Sequence, residues 1–200
     1  MKEDHWLLDF AVGRDFGLGA SKAQWTVGVR VADLRAKLTA NGTFAAVAHI
    51  TTVTTPFPAN GSFTGQQKSS FFGVGPRLGV EGETPLGGNW ALDWQAGVAG
   101  LFGQRKLDRT FAANATAATL GGTVVNFAAG GTQSSSSNAV VFNPDGQLGL
   151  SYWFNPNLKL TASYRVDAYF GALRTFDSAG NIVNADRIYQ GPMLRLTSKF

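Results

Sequence analysis

The chain has 200 residues, 25 of them Gly and none Cys, with 44% hydrophobic against 15% charged residues. Its formal charge of +4 is scattered singly, which leaves no basic run to grip nucleic acid, and the lack of Cys removes disulfide, thiolate and zinc-cluster chemistry. The length suits one domain over residues 1–200, too apolar for disorder, and the longest uncharged stretch, Thr110–Pro144, is Ala, Gly, Thr, Ser and Asn rather than a membrane-spanning helix.

Met1-Lys2-Glu3-Asp4 does not open a signal peptide, because acids precede any apolar region; an exported chain is expected to have lost its leader already. The first alternating run sets Trp6, Leu8, Phe10 and Val12 against Asp9, Ala11 and Gly13. The second sets Trp25, Val27, Val29 and Val31 against Thr26, Gly28 and Arg30. Near Ala32-Asp33 the apolar phase slips to Leu34, Ala36 and Leu38, which predicts a bulge or an exit from the apolar layer. After the turn signal Asn41-Gly42, the segment Thr43–Val53 alternates loosely and is counted as a strand.

From Phe71 the signal is clean. Phe72, Val74, Pro76, Leu78 and Val80 oppose Arg77, Glu81, Glu83 and a row of Gly. The turn Pro85–Asn89 follows, and Trp90, Leu92, Trp94, Ala96, Val98 and Phe102 then oppose Asp93, Gln95 and Arg105. Phe142, Leu148, Leu150, Tyr152 and Phe154 oppose Asn143, Asp145 and Gln147. Past the turn Asn155–Asn157, Leu158, Leu160, Ala162, Tyr164, Val166 and Phe170 oppose Arg165 and Asp167. The last run, Asp186–Phe200, sets Ile188, Pro192, Leu194, Leu196 and Phe200 against Arg187, Arg195 and Lys199.

A lipocalin-like barrel alternates in the same way, with the faces swapped. The polar face here mixes charges of both signs with Gly, as a crowded interior requires. Aromatics gather toward the ends of the apolar face, and short links alternate with long ones at Leu107–Ala139 and Thr175–Ala185. These features predict an all-β fold, a transmembrane antiparallel up-and-down β-barrel with short periplasmic turns and long extracellular loops. With Thr43–Val53 included, the count is eight strands, an even number as in single-chain bacterial barrels, with both termini in the periplasm. The predicted lumen charge network is Arg30, Arg77, Glu81, Glu83, Asp93, Arg165, Asp167, Arg187 and Arg195.

Catalytic chemistry finds no foothold. His5 falls in the N-terminal tail and His49 in the weakest segment, so no nucleophile–base–orienter set emerges, and no catalytic residue is assigned. Glu81 and Glu83 beside Arg77 read as a structural ion-pair ladder. Gly17-x-Gly19 and Gly73-x-Gly75 lack a phosphate-loop Lys, and Asn143-Pro144-Asp145-Gly146 lacks the remaining ligands of a calcium loop and reads as a turn. No cofactor or metal site is expected. The Ser134–Ser137 run reads as flexible surface.

Phe72-Gly73-Val74-Gly75-Pro76-Arg77-Leu78-Gly79-Val80 with Pro85-Leu86-Gly87-Gly88 resembles a stretch of the Legionella-type major outer membrane protein family. Gly28–Leu34, Gln147–Tyr152, Tyr164–Tyr169 and Gly191–Leu196 resemble its other strands. The ending Leu194–Phe200, an amphipathic strand closing on Phe200, resembles the final strand of bacterial outer-membrane chains, which the barrel-assembly machinery reads as an insertion signal. The resemblance implies an outer-membrane location, a pore-forming activity, further N-terminal sequence in the full-length protein, and a periplasmic turn at Phe16–Ala23. It also implies outer-membrane lipid and lipopolysaccharide as surroundings; a protein partner or self-association of the chain is a separate expectation. Two roles stay open, neither of them enzymatic: a small pore or envelope structural protein, and an inert barrel whose loops bind a partner as an adhesin does. An eight-stranded lumen is narrow enough to be filled by side chains, so the isolated chain is expected to conduct negligibly.

Overall fold

The computed structural model describes residues 1–19, 21–48, 57–118, 124–177 and 180–198. They form one antiparallel sheet of seven strands in chain order: β1 (Lys2–Leu18), β2 (Ser21–Ala48), β3 (Phe57–Gly87), β4 (Trp90–Ala118), β5 (Val124–Asn155), β6 (Leu158–Phe176) and β7 (Ile182–Ser198). Alternating apolar residues with Gly and polar partners place one side of each strand on each face, so the whole sheet acquires an apolar face and a polar one.

The β1–β2, β3–β4 and β5–β6 connections lie at one end. Gly87 and Gly88 take positive φ, 114° and 57°, in the β3–β4 turn, a conformation that other residues reach only with strain. This turn is tied to β5: Trp153 N donates to Asn89 O at 2.9 Å, and Asn89 Nδ2 donates to Trp153 O at 2.8 Å. Pro76 and Pro144 stand inside central strands, where a missing N–H is normally excluded. The ladder accommodates both. Pairing between β3 and β4 skips from Val74 to Arg77, and pairing between β5 and β6 skips from Phe142 to Asp145. Across the second gap, Asn143 Nδ2 donates to Ala168 O at 2.8 Å and takes the place of a ladder bond.

Several sequence expectations need correction. Thr43–Ala48 is not a separate strand: it continues β2 and pairs with the start of β3, Ala48 opposite Phe57. Thr43–Val53 therefore adds no eighth strand among the described residues, and its remainder, like His49 and Phe200, lies outside them. The described strands number seven, so β1 starts at the long-hairpin end and β7 finishes at the short-turn end. No bulge occurs at Ala32-Asp33, where both flanking registers run unbroken. The apparent slip is a change in what the inward face carries, from Arg30 to Leu34 and Ala36.

The long links are not loops either. Leu107–Ala118 and Val124–Ser135 are paired strand, Leu107 opposite Ser135, because Thr, Val and Phe among small residues suit a ladder as well as a loop. Hairpin β2–β3 does the same, and β3 alone, at 31 residues, reaches roughly 100 Å. The Thr175–Ala185 link is paired strand as far as Phe176 opposite Ile182, and Asn181 N donates to Asp177 Oδ1 at 2.8 Å. His5 belongs to β1 rather than to a tail and stacks on Tyr189 of β7, with centroids 3.9 Å apart.

The sheet curls strongly. Side chains of β2 reach β5 and β6, and Glu3 of β1 meets Arg187 of β7 at 3.0 Å. Among the described residues no backbone ladder joins β1 to β7, which are the two edges of the sheet.

Candidate functional site

The polar residues of the concave face meet at mid-height. Asp9 stands opposite Arg30 and Arg30 opposite Gly75, while Asp145 stands opposite Gly97 and Asp167. Strand phase therefore sends residues from β1, β2, β3, β5 and β6 into one space. Arg30, 0% exposed, lies at the centre. Its Nε and Nη2 donate to the two oxygens of Asp9, both at 2.7 Å. Its Nη1 donates to Asn143 Oδ1 at 2.6 Å and Asp145 Oδ1 at 2.9 Å, and lies 3.8 Å from Asp167. Arg77 donates to Asp145 through Nη2 at 2.7 Å and Nε at 3.3 Å. Arg165 grips Asp167 bidentately at 2.8 and 2.9 Å and comes within 4.0 Å of Asp145.

The geometry offsets a cost built into the register. Asp145 and Asp167 face each other across β5 and β6, a like-charge pair that is unfavourable alone. Arg30, Arg77 and Arg165 balance Asp9, Asp145 and Asp167, so the cluster is neutral. Glycine makes the space. A Cβ on Gly97 would stand 2.5 Å from Arg77 Nη2 and 2.9 Å from Asp145 Oδ1.

The nine predicted residues divide into separate groups. Arg30, Arg77, Arg165 and Asp167 form this cluster. Glu83 and Asp93 instead share Lys159, at 2.7 and 2.8 Å, lower on the same face. Glu81 accepts from Gln24 Nε2, so Glu81, Glu83 and Arg77 do not form a ladder. Arg195 lines a cavity of about 380 Å³ at the short-turn end with Glu81, Glu83, Asp93 and Lys159. Arg187 pairs with Glu3 across the β1–β7 seam, away from the cluster.

Sequence reasoning missed Asp9, Asn143, Asp145 and Lys159 as network members. Asn143 and Asp145 share the phase of Gln147, which was the available signal. Their Asn-Pro-Asp-Gly context masked it, because that composition is the usual mark of a turn. In the structure it is strand interior.

Above the ionic cluster, the same face becomes apolar. Leu34, Phe71, Leu101, Val141, Tyr169 and Leu173 pack together, each no more than 1% exposed. Burial of such side chains contributes about 1.5–3 kcal/mol each. A kink helps to fill this end. Gly171, with φ 66°, breaks the β6–β7 register, and Ala172 and Leu173 both turn inward. Gly171 O accepts from Arg105 Nη1 and Gly171 N donates to Asp186 Oδ1, both at 2.7 Å.

The convex face is the reverse. Val27, Val29, Val74, Leu78, Leu148 and Leu150 are exposed, and this band is bounded by aromatics at both ends. Trp6, Phe72, Phe102 and Phe142 mark the long-hairpin side, and Trp25, Trp90 and Phe154 the short-turn side. So large a contiguous apolar surface exceeds what a water-soluble monomer carries.

No curated protein matches the chain. A cryo-EM structure of the membrane pore complex of pneumolysin aligns at 7% identity over 99% of this chain, which spans 57% of that one, with a TM-score of 0.22. That score carries no argument about the fold. The family model described as Legionella pneumophila major outer membrane protein precursor matches residues 1–200. With its period-two strands, apolar outer band and charged inner face already in view, that match over its whole length places the chain in the Legionella major outer membrane protein family, and the protein in the outer membrane.

Proposed function

We propose that the seven strands form the wall of a transmembrane β-barrel with a plugged interior, serving as a non-catalytic structural protein of the envelope. The observation that carries this reading is the opposition of the two faces: exposed Leu78 and Val29 on one, fully buried Arg30 on the other. Water on the convex face and lipid on the concave one would reverse the favourable placement of both sets. In lipid, unpaired strand edges cost several kcal/mol per group, so the seam between β1 and β7 must be covered. Both strands run toward the short-turn end and are parallel to each other. Glu3–Arg187 and the His5–Tyr189 stack already bridge this seam, so in the membrane these two edges close the wall on each other. The short turns then face the periplasm and the long hairpins the exterior. The C-terminal strand with Phe200 serves as the assembly signal.

The plug decides between pore and structural element. Arg30, Asp145 and Asp167 cross the interior, and Leu34, Phe71 and Leu173 fill the level above. The full chain added to a planar bilayer is expected to give no resolvable conductance. Stable channels whose ion selectivity reverses on Arg77→Glu would overturn the plug and restore the pore that the family resemblance implies.

A second reading, loop-mediated partner binding, is favoured by one feature. Hairpins β2–β3 and β4–β5 continue far past the aromatic rim as paired strands, Ala40 opposite Gly65 and Phe111 opposite Gly131. Such a stiff, exposed four-stranded extension adds nothing to a membrane wall.

A further inference from the structure

Just beyond the aromatic rim on the long-hairpin side, the convex face carries a notch of about 690 Å³. Its rows follow from the register. Lys2, Lys37, Lys68 and Asp108 form one cross-strand row, and Asp4, Arg35, Ser70 and Lys106 form the next, nearer the apolar band. Phe72 and Gln104 form its lower edge. Arg35 is engaged with Asp33 at 2.7 Å and Lys2 with Asp4 at 3.5 Å. Lys37, Lys68 and Lys106 make no ion pair or side-chain hydrogen bond with the described residues. Lys37 stands directly opposite Lys68. Asp108, opposite Lys68 on its other side, offsets part of the repulsion between them, but five basic residues against Asp4, Asp33 and Asp108 leave the notch two positive charges in excess, which an anion would neutralise.

The location says which anion. The notch lies against the apolar band, at the height where headgroups of the surrounding leaflet stand if that band faces lipid, and it is far larger than a lone phosphate requires. Ser70 and Gln104 add uncharged hydrogen-bonding groups beside the lysines, and Phe72 offers apolar contact beneath. We propose that Lys37, Lys68 and Lys106 bind the phosphate groups of a phosphorylated glycolipid anchored in the outer leaflet. This inference rests on the transmembrane reading above and gives that reading a specific lipid site. Paired phosphates shared between Lys37 and Lys68 relieve their repulsion, and the acyl chains run down past Phe72.

The test uses the full chain refolded in detergent micelles and titrated with bis-phosphorylated lipid A, with the same lipid lacking both phosphates, and with inorganic phosphate. Bound lipid is counted by native mass spectrometry. The phosphorylated form is expected to be retained roughly tenfold or more better than the dephosphorylated one, and K37Q/K68Q to lose that preference. Millimolar inorganic phosphate is expected not to displace the lipid. Equal retention of the two lipids, or full retention by K37Q/K68Q, overturns the site. Displacement by inorganic phosphate overturns the lipid assignment in favour of a free anion. If K37Q/K68Q fails to fold, as read from its mobility without heating, Lys106→Gln replaces it, with a several-fold loss expected and no loss counting against the site. Insertion of the wild-type chain into phosphatidylcholine vesicles separates the two readings. Failure to insert overturns the membrane wall, whereas insertion without selective retention overturns only the lipid site.

Discussion

Asp145→Asn isolates the charge balance of the buried cluster. The substitution keeps side-chain volume, so no cavity contributes, and it removes one of three carboxylates facing three guanidiniums. Arg30 retains both bonds to Asp9, and Arg165 retains Asp167. Of the two oxygens of residue 145, one still accepts as an uncharged amide oxygen and the other becomes an NH2 that cannot accept from Arg77 or Arg30, so Arg77 keeps one neutral bond and a 3.7 Å approach to Asp9 in place of its own carboxylate. The Asp145 side chain is 1% exposed, so water does not readily replace it. Removing one partner of a buried pair costs about 3–5 kcal/mol, most of it the penalty of the charge left behind. Urea unfolding in lipid vesicles, followed by Trp fluorescence, is expected to show that loss. The companion variant Asp145→Asn/Arg77→Gln restores neutrality and is expected to recover about half or more of it. A single-variant loss below about 1 kcal/mol, the size of an exposed pair, would refute the reasoning. So would a double variant no more stable than the single one.

Leu78→Arg, between outward Val27 and Val98 within the apolar band, should lower stability in vesicles by about 2–4 kcal/mol, while Leu160→Arg, two residues past the β5–β6 turn, should cost about 0–1 kcal/mol in the same unfolding assay. Gly97→Leu forces side-chain atoms into Arg77 and Asp145 and should destabilise by about 1–3 kcal/mol. An unchanged unfolding midpoint would show that the cluster is looser than its distances indicate. Replacing residues 109–133 of the β4–β5 hairpin with a short Gly-containing turn should leave refolding yield and unheated gel mobility intact, because Arg109 and Gln133 are already paired neighbours. Loss of folding would mean that the extension stabilises the wall.

Period two by itself determined the all-β class, the antiparallel order of the seven strong segments and which residues share each face, while it counted Thr43–Val53 as a strand of its own where the structure continues β2. Alternation is a local property, and seven in-phase segments with short Gly-rich and Pro-rich turns leave few other pairings. It also determined that Arg30, Arg77, Arg165 and Asp167 lie on the inner face. Their partners are a different matter. Asp145 bonds Arg30 over a separation of 115 residues, and that contact depends on how tightly the sheet curls rather than on any spacing. The curl sends Glu83 and Asp93 to Lys159, and Arg187 to Glu3 at the seam. It also turns an apparent phase slip at Leu34 into an apolar layer with Phe71 and Leu101. Strand length was likewise decided in three dimensions. Ala, Gly, Ser and Thr have little preference of their own, so Leu107–Ala118 is strand because a partner strand lies beside it to complete its hydrogen bonds.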